Sequence, residues 1–323
     1  MTRQKVEYLI VGAGLAGLTA GQLLRKGGGA VLVLERLDLT VKNKPCTGAM
    51  PYSLFESFEK IFDRDFEHLI KQKNITAETK KRDGTKLIAP TQACTVIRKE
   101  LDRQLVDCYV GAGGALKDCI RIQKIDFANN IVYCFDDRNK EKLEIAYDKL
   151  IGADGACSSV RYRLTRKAPR LSTGLVSFVK PVTSHSIFMG YKVKRSFGWY
   201  FPVGEFANIG FVYEPEPGMY SYDFLKKTFF DFAKECGVAL TSYQGGITPV
   251  GNDIFLEKDN CYFAGDAAGL IRCEDFSGIE IAVQSGYTLA ECLLQGKSYT
   301  NAMQSLTQEL LDIYNKPSVY YMV

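Results

Sequence analysis

Residues 6–17 confine this chain to very few folds. Val6-Glu7-Tyr8-Leu9-Ile10-Val11 is a mostly apolar run with the length of a buried strand, and Gly12-Ala13-Gly14-Leu15-Ala16-Gly17 follows without a linker. A helical pattern runs from Leu15 to Lys26 and stops at Gly27-Gly28-Gly29, after which Ala30-Val31-Leu32-Val33-Leu34-Glu35 reads as a second strand. Strand, glycine turn, helix and strand within about 30 residues make a dinucleotide-binding unit. Gly12 permits the tight turn, Gly14 lets a pyrophosphate approach the backbone, and Gly17 lets helix and strand pack closely. Ala16 belongs to the same turn, and the helix start offers free N–H groups and partial positive charge to phosphates. Glu35 ends the second strand where a carboxylate can grip adenosine ribose hydroxyls, with Arg36 beside it. A carboxylate there repels a 2′-phosphate, so NADP is disfavoured at this site.

Composition excludes several classes. The 323 residues are 46% hydrophobic and 24% charged, with a formal net charge of +4, which suits a folded globular chain that meets an anionic ligand. No run of five like charges occurs, so nothing asks for nucleic acid. Ten scattered cysteines show no C-x-x-C pair, so no zinc or thioredoxin-like site is expected. Free thiols without a signal peptide imply a reducing cytoplasm. No apolar stretch reaches the about 18 residues of a spanning helix, so at most peripheral membrane contact is expected. His68 and His185 are the two histidines, read as one exposed and one packed on a strand; they leave little room for a metal site or a Ser-His-Asp triad.

Further along, residues 36–51 have the composition of a loop, residues 98–110 of a helix, and residues 131–135 and 143–146 of a hairpin that leads back to the main sheet at 149–152. Residues 172–213 are rich in aromatic and β-branched positions, the signature of an antiparallel sheet, and a helix over 222–236 follows. A short strand at 261–264 and a helix over 278–294 complete the pattern. The expected fold is α/β: a Rossmann-like domain formed by residues 1–165 and 245–323, with an antiparallel-sheet substrate domain, residues 166–244, inserted into it.

Two segments decide the cofactor. Gly152-Ala153-Asp154-Gly155-Ala156-Cys157-Ser158-Ser159-Val160-Arg161 and Phe263-Ala264-Gly265-Asp266-Ala267-Ala268-Gly269 stand in this order behind the glycine turn. With them the chain resembles the flavoproteins that include the geranylgeranyl reductases and, at greater distance, the aromatic hydroxylases and flavin halogenases. The resemblance implies FAD, with Asp154 supporting the pyrophosphate-binding region and Gly265-Asp266 meeting the ribityl chain. It also implies that Arg98 and Gln104 reach the cofactor from their helix. Gly278-Ile279 would aim a helix start at the flavin edge, where negative charge gathers on reduction.

Lys44-Pro45-Cys46-Thr47-Gly48-Ala49-Met50-Pro51 is similar to the cysteine–glycine loop that passes near the isoalloxazine ring in geranylgeranyl reductases. It makes Cys46, Thr47 and Gly48 candidate cofactor contacts and Cys46 a candidate proton donor. Phe197-Gly198-Trp199-Tyr200-Phe201-Pro202 resembles the Tyr-x-Trp-x-Phe-Pro element of that family. It makes Trp199, Tyr200 and Phe201 candidate substrate contacts, and Tyr200 a second candidate acid. Aromatic residues at strand spacing also suit plain core packing. The chain departs from the family at Arg272-Cys273-Glu274-Asp275, charged where relatives have an apolar stretch, and at Thr47, where a glycine is usual.

These readings imply an FAD-dependent oxidoreductase that reduces C=C bonds of an apolar substrate, such as an isoprenoid or lipid-linked chain. Two alternatives are a flavin-dependent monooxygenase or halogenase, and a non-catalytic FAD-binding regulatory protein. The electron donor would be NAD(P)H or a ferredoxin-like protein. Neither has a motif of its own, since Gly111-Ala112-Gly113-Gly114 reads as a helix stop.

Overall fold

A computed structural model describes residues 2–73, 76–80, 86–190, 195–215 and 221–315. Residues 191–194 and 216–220 of the expected inserted sheet and 316–323 of the expected cofactor domain lie outside them.

The fold is mixed α/β. The first sheet runs in the order Glu257–Lys258, Cys261–Phe263, Glu141–Gly152, Thr2–Val11, Val31–Leu34 and Ala115–Lys117. The residues expected as half a hairpin and a separate re-entry are one strand, Glu141–Gly152. Its first half pairs antiparallel with Ile131–Asp136, and from Leu143 to Gly152 it runs parallel to Thr2–Val11. Leu9, Ile10, Val33, Leu150 and Phe263 are fully buried, because helices cover the parallel strands. Register puts Val11 beside both Leu34 and Gly152, and Gly152 beside Phe263. The segments that follow these residues therefore emerge along one edge, the carboxyl ends where open α/β sheets bind ligands.

The second sheet has the order Gln244–Pro249, Leu171–Val179, Phe206–Tyr213, Ser196–Val203, Ser186–Gly190, Thr76–Lys80 and Lys86–Pro90. It draws strands from outside residues 166–244 at both of its edges. A third sheet, Ala49–Pro51, Ala93–Val96 and Ile70–Lys73, lies against the second, where the buried Thr95 hydroxyl donates to the Pro202 carbonyl at 2.8 Å.

Helix Tyr222–Glu235 covers one face of the second sheet. Ser221 caps it by accepting from Phe224 N at 3.2 Å, and Leu225, Phe229, Phe232 and Ala233 form the buried stripe. Strand Ser196–Val203 is buried along its whole length because both of its faces are covered. Odd positions Phe197, Trp199 and Phe201 pack with Val176, Val212, Ala49 and Phe276, whereas Tyr200 packs with Phe229 and Phe232 on the opposite face.

Candidate functional site

The glycine turn shows which of its residues the protein needs for itself. Gly12 has φ +108°, and a Cβ there would stand 2.2 Å from the Ala153 carbonyl oxygen. A Cβ on Gly17 would stand 2.0 Å from the Gly12 carbonyl oxygen. A Cβ on Gly14 meets nothing within 4 Å. Gly14 is the N-cap of helix Leu15–Lys26, whose first turn carries no acidic residue. Two glycines are thus demanded by internal packing, and the third leaves a bare, positively polarised helix start facing open space. A pyrophosphate fits that cradle. Ala16 lies in the first turn of that helix, and its carbonyl oxygen would stand 2.4 Å from a Cβ on Gly286, so this turn packs closely on helix Ile279–Gln295.

Glu35 is buried at the neighbouring strand end. Its Oε2 accepts from Ala13 N at 3.1 Å and from Lys42 Nζ at 2.6 Å, and its Oε1 accepts from Leu37 N at 2.9 Å. Lys42 Nζ also donates to the Ala13 carbonyl at 2.7 Å. Burial pushes the Glu35 carboxyl up, but the Lys42 ammonium and the two backbone N–H groups outweigh it and hold the group below the usual glutamate value. Arg36 points to solvent.

Asp154 Oδ2 accepts from Ser159 N at 2.7 Å, Ser159 Oγ at 3.0 Å and Val160 N at 3.3 Å, so it holds the start of helix Ser159–Thr165. Its Oδ1 is buried without a protein partner, an open acceptor close to the glycine turn. Burial raises the Asp154 carboxyl.

At the far strand end Asp266 accepts from Lys44 Nζ at 2.8 Å. The Asp266 charge raises the Lys44 ammonium above the ordinary lysine value. A Cβ on Gly278 would lie 3.3 Å from Asp266 Oδ1, so this carboxylate sits at the start of helix Ile279–Gln295. Gly265 N donates to Ser285 Oγ at 2.9 Å, pinning the turn to the same helix.

Arg98 is buried and bonded to Asp102 by Nη2 at 2.8 Å, and its Nη1 donates to Cys46 Sγ at 3.3 Å. Gly48 N reaches the same sulfur at 3.5 Å. Thr47 Oγ1 accepts from Ala49 N at 3.1 Å. Gly48 has φ +70°, and a Cβ there would stand 2.0 Å from the Val96 carbonyl oxygen, which explains a glycine at that position. Gln104 is half-buried on the Arg98 helix.

The structure therefore brings Cys46, Arg98, Asp266, Gly278 and the Trp199 face into one neighbourhood. It does not bring Tyr200 there. Tyr200 is fully buried, and its hydroxyl accepts from Val182 N at 2.8 Å and donates to the Thr183 carbonyl at 3.3 Å. Strand alternation corrects the expectation that grouped it with Trp199. Both histidines are exposed, so neither is the strand-packed residue expected. In the charged stretch, Arg272 N bonds the Ser277 carbonyl at 3.0 Å and Phe276, at φ +55°, reaches the aromatic face.

Sequence reasoning missed Lys42, the ion-pairing role of Lys44, and Asn208. Among the described residues no group of three or more His, Cys, Asp or Glu could hold a metal ion, and no helix is long and apolar enough to cross a membrane.

Residues 5–186, more than half of the chain, match the FAD binding domain family. A chloroplastic geranylgeranyl diphosphate reductase from Nicotiana tabacum is 25% identical, aligned over 93% of this chain and 68% of its own. A kynurenine 3-monooxygenase from Xanthomonas oryzae is 27% identical over 50% of this chain and 38% of its own. Among solved structures, a geranylgeranyl bacteriochlorophyll reductase-like protein from Thermoplasma acidophilum has a TM-score of 0.78 at 17% identity, covering 97% of this chain and 82% of its own. A myxobacterial chondrochloren halogenase has a TM-score of 0.72 at 13% identity, covering 95% and 79%. Reductases, monooxygenases and halogenases share the architecture. With the strand-end turns, the Gly14 cradle and this family match taken together, the chain belongs to the FAD binding domain family and is an FAD-dependent oxidoreductase.

Proposed function

We propose that the chain reduces a C=C bond of an apolar substrate lying between the flavin and the second sheet, beside the Cys46 loop. One observation carries this reading: the face formed by Phe197, Trp199, Phe201, Val176 and Val212 is apolar apart from the Trp199–Asn208 hydrogen bond and meets Ala49 and Phe276 beside that loop. Apolar walls with few polar anchors suit a hydrocarbon and exclude water from the reacting carbons. FAD, when bound, supplies hydride chemistry. Gly14, Glu35, Asp154, Asp266, Arg98 and the Gly278 helix start would hold it. Cys46 Sγ takes bonds from Arg98 Nη1 and Gly48 N, which fix the sulfur and leave its S–H hydrogen for a substrate carbon. An isoprenoid or lipid-linked chain fits this class, and its source implies peripheral contact with a membrane from the cytoplasm. NAD(P)H or a ferredoxin-like protein would provide electrons.

A monooxygenase or halogenase is the second reading, favoured by the charges of Arg272, Glu274 and Asp275 close to the helix start. Anaerobic reduction of the FAD-loaded protein, then separate mixing with oxygen and with unsaturated lipids, decides between them. Reoxidation by an alkene supports the proposal. Rapid reoxidation by oxygen with no response to any alkene overturns it.

A further inference from the structure

We infer that Asn208 is a positioning residue for Cys46, acting through the Cys46 main-chain carbonyl. This rests on the reading that the Cys46 loop faces the flavin. Asn208 lies in strand Phe206–Tyr213 and is fully buried in a sheet whose neighbouring positions, Ala207 and Ile209, are apolar. An unpaired amide there would cost about 1–3 kcal/mol, so its retention calls for partners at both ends. It has them. Oδ1 accepts from Trp199 Nε1 at 2.7 Å, and Nδ2 donates to the Cys46 carbonyl at 2.9 Å.

Chemistry fixes the orientation of this amide. An indole N–H can only donate and a carbonyl can only accept, so the oxygen must face Trp199 and the nitrogen must face Cys46. Few other side chains serve both neighbours. Aspartate lacks the donor and leucine lacks both functions, while serine lacks the reach.

The site gives the bond its purpose. Residues 42–48 contain no helix or strand, so no ladder sets their place. Arg98 fixes the Cys46 sulfur, Val96 N holds the Gly48 carbonyl at 3.0 Å, and Asn208 holds the Cys46 main chain between those anchors. The other end of the same amide grips the sole tryptophan of the chain, in the apolar face. One side chain thereby ties the wall of the proposed cavity to the thiol beside it.

Two substitutions separate the two ends. Asn208→Asp keeps the acceptor for Trp199 and, at pH 8, places a carboxylate against the Cys46 carbonyl. Trp199→Phe removes the indole and leaves the Cys46 bond. Alkylation by iodoacetamide, read at Cys46 by peptide mass spectrometry, reports the freedom of the thiol. In protein stripped of FAD, Asn208→Asp is expected to raise the Cys46 rate about tenfold, the loss of one buried hydrogen bond. Trp199→Phe is expected to leave it at the wild-type rate. An unchanged rate in folded Asn208→Asp protein, or an equal rise in both variants, overturns the inference. Should Asn208→Asp fail to fold, Asn208→Ser carries the same comparison without a buried charge. Adding FAD to the wild type tests the underlying reading separately: protection of Cys46 supports a loop facing the flavin, and no protection removes it whatever Asn208 does.

Discussion

Replacing Gly14 and Gly17 by alanine, one at a time, separates cofactor binding from folding within four residues. The Gly14 backbone has φ −96° and ψ −174°, a conformation any residue adopts, and the added methyl meets no protein atom. Lower N-cap preference for alanine and reduced freedom of the unfolded chain oppose each other, each by about 1 kcal/mol or less. Stability of the FAD-free Gly14→Ala protein should therefore stay within about 1 kcal/mol of wild type. The methyl does occupy the approach to the helix N–H groups. Loss of one charge-assisted hydrogen bond, about 1.5–3 kcal/mol, weakens FAD binding about 10- to 150-fold. Gly17→Ala drives a methyl to 2.0 Å from the Gly12 carbonyl oxygen, so the helix must shift away from the strand. Overpacking of that kind costs about 3 kcal/mol, or about 4 °C in melting temperature for a chain of this size. Thermal melting without FAD, and FAD titration followed by quenching of Trp199 fluorescence, read the two quantities independently. Wild-type FAD affinity in Gly14→Ala would refute the phosphate cradle, and an unchanged melt in Gly17→Ala would refute the packing.

Three further outcomes are expected. Because the Glu35 carboxyl is held below its unfolded value, its contribution to stability is present above that unfolded value and lost as pH falls through the folded one; Lys42→Met should move the acid unfolding midpoint to higher pH, measured by circular dichroism against pH. Tyr200→Phe leaves Val182 N without its hydroxyl acceptor and should lower the melting temperature by about 1–4 °C with alkene-driven reoxidation unchanged; loss of that reoxidation in a stable variant would return Tyr200 to the reacting site. Cys46→Ser should leave flavin reduction near wild type and slow alkene-driven reoxidation about 10²-fold in stopped flow, and equal rates in both half-reactions would remove the thiol from proton transfer.

Most of the cofactor half was legible because its signals are local. Gly12, Gly17 and Gly48 stand where no Cβ fits, and a residue with that constraint declares itself in any sequence. The parity of Tyr200 was not legible. A strand buried on both faces shows no polar alternation, so Ser196–Val203 gives no sign of which aromatics look toward the Cys46 loop and which toward helix Tyr222–Glu235. Asn208 was hidden for another reason. Its partner lies 162 residues away in the chain, and a buried amide reads as an ordinary polar residue until both of its neighbours are known. The strands Thr76–Lys80 and Lys86–Pro90 escaped likewise, since they join the second sheet only through pairing with distant Ser186–Gly190.

The absent Cβ of Gly286, against the Ala16 carbonyl, makes the two cofactor helices one ruler. With backbone nearly on backbone, the helix beginning after Gly14 and the helix beginning after Gly278 cannot slide apart by a change of rotamer. With the phosphates at Gly14 and the ring at Gly278, as proposed, the distance between the two ends would be graduated once, and a dinucleotide of a single length would fit it. A half so calibrated resists tinkering. Such a half leaves the second sheet as the part free to differ, and reductases, monooxygenases and halogenases are all among the proteins this chain resembles.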